Sequence, residues 1–173
     1  MTTLLLSLIL ALAQAAVPGV RPLPAPLTVA RWWDPPPTPY AAGHRGVDLS
    51  APVGAELRAV GPGRVHYAGQ VAGRGVLSIT LPNGLRTTYE PVRPLVAEGE
   101  QVTAGQVVAT LTAGSHCPAP CLHWGLLAGE TYLNPLTLLP RPTPRLLPDP
   151  IPRSSPLHPA RPAPEGSFSP AGV

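Results

Sequence analysis

Gly43-His44-Arg45-Gly46-Val47-Asp48-Leu49 and, far downstream, Cys121-Leu122-His123-Trp124-Gly125 decide the reading of this chain. His44, Asp48 and His123 supply two imidazoles and one carboxylate. That donor set suits zinc and leaves a fourth tetrahedral position for water. The spacing constrains the shape. On an extended strand His44 and Asp48 would lie ~13 Å apart, too far to share one ion. A helix would make them neighbours, but Gly43, Gly46 and Val47 disfavour it. What remains is a glycine-turned loop running into a strand, with His123 arriving from a second strand.

Between the two stretches the signals are all strand and turn. Pro52-Val53-Gly54 and Gly61-Pro62-Gly63 are turns around a short strand at Leu57 to Val60. Val65 to Ala68 and Val76 to Thr80 are apolar-rich strands. Pro82-Asn83-Gly84 reverses the chain into Leu85 to Tyr89, a strong hairpin signal. Val96 to Leu111 repeats valines with glycines at the turns, and no stretch in this region has helical periodicity. The core is therefore expected to be all-β.

The pairing of GHRGVDL with CLHWGL resembles the lysostaphin/LytM-type zinc endopeptidases of the bacterial cell wall. That family carries an H-x-x-x-D motif and a later H-x-H strand motif, and the resemblance covers about Gly43 to Leu139. It implies an antiparallel β-sheet core of LytM type, a duplicated hybrid motif-like fold. It also implies zinc held by His44, Asp48 and His123, and an attack on peptide cross-links of peptidoglycan. Two family histidines used in catalysis are replaced here. The first histidine of H-x-H is Cys121, and the histidine after the central aromatic falls at Pro91. A second reading follows from those replacements, a catalytically degenerate module that binds cell wall or regulates another wall hydrolase. The valine-glycine hairpin also looks like that of a lipoyl-type carrier, but a carrier needs a modifiable lysine and this chain has none.

His116, in the loop before the second motif, is the candidate acid/base group in place of the missing histidines. Glu90 precedes Pro91, and strand alternation would send it to the opposite face unless a bulge intervenes. Arg45, beside the first ligand, could hold a substrate carboxylate bidentately. Cys117 and Cys121 are the only cysteines, and in an exported protein they favour a disulfide. The competing reading makes Cys121, two residues before His123 and on the same strand face, a fourth metal ligand that closes the site.

The flanks read differently from the core. Leu4 to Ala13 is apolar and Ala13-Gln14-Ala15 has a small-x-small form, so residues 1–15 are expected to be a signal peptide. The stretch is shorter than the ~20 apolar residues a membrane span needs, which leaves no span in the mature form. Residues 16–39 read as a proline-rich linker interrupted by Arg31-Trp32-Trp33-Asp34, residues 40–139 as the peptidase-like domain, and 140–173 as a disordered proline-rich tail. The expected location is secreted and cell-wall associated. Twelve basic residues, all arginine and scattered, give a net charge of +3 and no nucleic-acid footprint.

Overall fold

The computed structural model describes residues 19–38 and 40–140. The expected signal peptide, and the expected proline-rich tail beyond residue 140, lie outside the described residues.

Eleven strands and one 3-10 turn make up the described chain, and no α-helix occurs among the described residues. The strands are β1 (Val29–Arg31), β2 (Gly46–Ser50), β3 (Glu56–Arg58), β4 (Gly63–Val71), β5 (Arg74–Thr80), β6 (Leu85–Glu90), β7 (Val92–Pro94), β8 (Gln101–Val102), β9 (Val107–Leu111), β10 (Cys121–Ala128) and β11 (Thr131–Leu133). The larger sheet runs β1-β2-β10-β6-β5-β4-β8, with β11 also paired to β10, and the smaller runs β3-β9-β7. Every pairing is antiparallel. The expected all-β antiparallel core is the fold of the protein.

Alternation along the central strands builds the core and the site at once. In β10, Leu122, Trp124 and Leu126 are fully buried in the core, which leaves Cys121, His123 and Gly125 on the other face. In β2, Val47 and Leu49 enter the core while Asp48 faces away from it. The inward residues of β5 and β6, Leu77, Ile79 and Tyr89, complete the layer. Trp124 is anchored within it, since its indole N–H donates to Thr87 Oγ1 at 2.8 Å. Asn83-Gly84 makes the reversal before β6, with Gly84 at φ 79° and the Leu85 N–H donating to Asn83 Oδ1.

The stretch 16–39, expected as a linker, is part of the packed domain wherever it is described. Leu23 is buried, the Arg58 N–H donates to Pro22 O, and β1 pairs with β2. Proline suppresses periodicity without preventing an edge strand, so composition hid this strap. Its far end forms an isolated bridge from Asp34 to His44, with N–H to O distances of 3.1 and 2.6 Å.

Candidate metal centre

Asp48, His123 and Glu90 form one row across β2, β10 and β6. Asp48 pairs with His123, and His123 pairs with Glu90 on its other side. Directly paired residues share a sheet face, so all three project away from the core. This corrects the expectation for Glu90. The ladder ends at Glu90 because Pro91 has no N–H to continue it, so alternation counted through Pro91 has no meaning. Glu90 accepts from Arg74 Nη1 at 2.9 Å.

His44 reaches the row from the loop before β2. Its Nδ1 lies 2.7 Å from the Trp32 carbonyl oxygen. A carbonyl can only accept, so Nδ1 carries the proton and Nε2 turns its lone pair inward. Nε2 is 3.1 Å from Asp48 Oδ1 and 3.1 Å from His123 Nδ1, and the latter two are 2.8 Å apart. Three atoms with acceptor lone pairs at this separation repel unless a cation or a proton lies between them. Ligands at ~2.0–2.1 Å from a tetrahedral zinc would be ~3.3 Å apart, close to what is seen. The donor set therefore fits zinc.

Gly46 makes room for the His123 ring, and Gly125 for the Thr88 side chain. A Cβ at Gly46 would lie 2.7 Å from His123 Nε2 and 2.5 Å from Trp124 O. A Cβ at Gly125 would meet Thr88 Oγ1 at 2.5 Å. The imidazole of His123 thus occupies the space that a side chain at 46 would fill, which ties the glycine of the first motif to the histidine of the second.

His116 joins the cluster. Its Nε2 is 2.8 Å from Asp48 Oδ2, its side chain is 35% exposed, and its ring stands edge-on to those of His44 and His123. The ligand atoms of His44, Asp48, His116 and His123 all fall within 4.8 Å of one another. Burial opposes charge on the Asp48 carboxyl. In the metal-free protein protons take the place of the ion between these groups, and the hydrogen bonds from His123 and His116, with the charge of His44 and His116, outweigh burial and bring the pKa down to about 2. Asp48 is thus an anion at neutral pH, as a metal ligand must be.

Cys117 and Cys121 are joined by a disulfide, which closes the loop directly after His116. With its sulfur bonded to Cys117, Cys121 offers no thiolate and does not act as a fourth ligand. Arg45 is not drawn into the cluster. Its Nη2 donates to Ala41 O at 3.4 Å and its guanidinium lies 6.0 Å from the centroid of the Tyr132 ring. His66 bonds Arg86 on the exposed face, apart from the site. Sequence reasoning missed the Trp32 carbonyl, because a backbone acceptor leaves no residue-type signal.

Comparison with known proteins gives this geometry a setting. The profile of peptidase family M23 matches residues 42–135. The uncharacterized protein Rv2891 of Mycobacterium tuberculosis is 43% identical over 133 residues, which are 73% of this chain and 53% of that protein. The peptidoglycan DD-endopeptidase ShyC of Vibrio cholerae is 34% identical over 105 residues, 60% of this chain and 24% of its own length. The chain therefore spans about half the length of the mycobacterial relative and a quarter of the endopeptidase. Among solved structures, the catalytic domain of the antimicrobial peptidase lysostaphin from Staphylococcus simulans superposes with a TM-score of 0.56 at 22% identity, covering 64% of this chain and 90% of that one. A zinc-containing peptidase from Vibrio cholerae gives 0.56 at 23%, covering 65% and 37%. At such identities the structural likeness speaks for the fold alone.

Proposed function

The chain belongs to peptidase family M23, and on that premise we propose that it is an exported zinc metallopeptidase that cuts peptide cross-links of peptidoglycan. One observation carries the reading, the meeting of His44 Nε2, Asp48 Oδ1 and His123 Nδ1 within 3.1 Å of one another. The named activity of the Vibrio endopeptidase supports the substrate class.

In this reading His44, Asp48 and His123 hold the ion. Zinc, when bound, supplies a Lewis acid for the scissile carbonyl and a nucleophilic water at neutral pH. His116 does the proton work that the family assigns to histidines absent here. Its imidazole is partly exposed and can meet a substrate, and the Asp48 carboxylate accepts from its Nε2 and orients it. From there it can accept a proton from the attacking water and return one to the leaving amine. The disulfide limits the wandering of that loop, and its formation agrees with an oxidising compartment outside the cytoplasm. The contact of a partly exposed His116 with Asp48 favours the peptidase over the degenerate binding module, which gives His116 no chemical role.

The test uses mature protein loaded with zinc and purified peptidoglycan, with released peptides identified by mass spectrometry. Wild type should release cross-link fragments. His116→Ala should lower turnover by about 10²–10⁴-fold at unchanged zinc content. A fully loaded wild type that releases nothing, yet sediments with the wall, would replace this reading with the binding module.

A further inference from the structure

A groove of about 730 Å³ lies across β6 from the metal centre, between the β4–β5 hairpin and the Thr112–Gly114 segment, with Pro91 among its lining residues. That volume is within the ~300–1,000 Å³ of sites that enclose a small ligand or a few peptide residues. Its charged lining is of one sign, Arg74 and Arg93. Arg74 is shared with Glu90. Arg93 is exposed and its guanidinium has no partner among the described residues. Glu90 offsets one guanidinium, so one full positive charge remains for a ligand. The remaining wall is largely small. A Cβ at Gly75 would overlap the Val92 carbonyl, so the groove there is bounded by bare backbone.

Chain neighbours link the groove to the metal centre. Glu90, paired to His123, immediately precedes Pro91, and Gly114 at the other wall lies two residues before His116. The near edge is therefore one or two strand spacings from His123, ~5–10 Å. An extended peptide at ~3.3 Å per residue covers that distance in two or three residues.

We propose that this groove is a substrate subsite that selects peptides carrying a free carboxylate two or three residues from the scissile bond, with Arg93 as its main contact and Arg74 as the second. The inference rests on the peptidase reading above and adds what that reading leaves open, the charge of the preferred substrate. A guanidinium meets a carboxylate through two parallel charge-assisted N–H to O bonds. A carboxamide keeps one acceptor, loses the charge and turns its own N–H donors toward the guanidinium.

The experiment compares cross-linked wall-peptide fragments that differ only in one carboxylate, each free or converted to carboxamide in turn. Both Kd, by calorimetry on the zinc-loaded protein, and kcat/KM are measured. One carboxylate position should bind and react about tenfold or more better than its amide. Arg93→Gln, checked for an unchanged fold by circular dichroism, should remove that preference by raising Kd and KM for the carboxylate form. Its loss in kcat/KM should be several-fold larger for the carboxylate form than for the amide. Cleavage with no preference at any position overturns the subsite and leaves the peptidase reading standing. Carboxylate-selective binding, abolished by Arg93→Gln and without cleavage, supports the subsite and sinks the peptidase. Equal loss for both forms in Arg93→Gln, or no binding of either form by wild type, overturns the subsite.

Discussion

The Trp32 carbonyl oxygen accepts from His44 Nδ1 at 2.7 Å, so a residue outside the family match decides which nitrogen of the proposed metal ligand His44 faces the site. Trp32 follows directly on β1, and the bond therefore depends on the strap that crosses the domain edge. Acceptors of this kind fix ligand tautomers, and losing one typically costs 10–100-fold in metal affinity. A protein beginning at Asp34 should bind zinc about 10–100-fold more weakly than one retaining residues 19–33, measured by competition with a chromophoric chelator. His123→Ala, which removes a ligand outright, should retain no stoichiometric zinc by elemental analysis. Unchanged affinity in the truncated protein would remove the strap from the metal site.

The close packing of Gly46 against His123 yields a sharper contrast. Gly46→Ala places a methyl 2.5 Å from the Trp124 carbonyl and 2.7 Å from His123 Nε2. One partner is backbone, so the strain cannot be relieved by a rotamer change and should cost about 1–3 kcal/mol along with zinc affinity. Gly125→Ala meets chiefly the Thr88 hydroxyl, a side chain able to rotate away. It should be the milder of the two by thermal denaturation and by zinc content.

Asp48 sets an acid limit on the metal-free protein. Its folded pKa, about 2, is below the ordinary 3.8 because hydrogen bonds from His123 and His116 and the His44 charge overcome its burial. A depressed carboxylate pKa stabilises the fold above the unfolded value and loses that contribution as pH falls through the folded one. Stability of the chelated protein should therefore decline between about pH 4 and pH 2. In Asp48→Asn that part of the decline should vanish. A variant with the same acid profile as wild type would show that Asp48 contributes no such linkage.

If His116 transfers protons as proposed, the disulfide next to it should couple redox state to turnover. Exported protein should show no free thiol before reduction and two after it. Opening so short a loop should cost only about 2 kcal/mol by loop entropy. Reduction, or Cys117→Ser with Cys121→Ser, should nonetheless lower peptidase activity at constant zinc, because the loop that aims His116 is released. Full activity in the reduced protein would show that His116 is held by its contact with Asp48 alone.

Residue types and spacing by themselves determined the β class and the turn at Asn83-Gly84, which are local or periodic. The grouping of His44, Asp48 and His123 joins His123 to residues far away in sequence and rested on the family resemblance; alternation along β2 and β10 then separates site residues from core residues. The rest depended on the ladder register. Only the pairing of His123 with both Asp48 and Glu90 put Glu90 on the site face, because strand order and register are properties of contacts between distant segments. The same holds for the strap at residues 19–38. Its prolines obscure any period, and its value lies in backbone groups that bond β2 and His44 whatever the side chains are. Cys121 shows the difference most plainly. On its strand it could face a metal or a second sulfur, and the fold of the loop before it brings Cys117 close enough to take it.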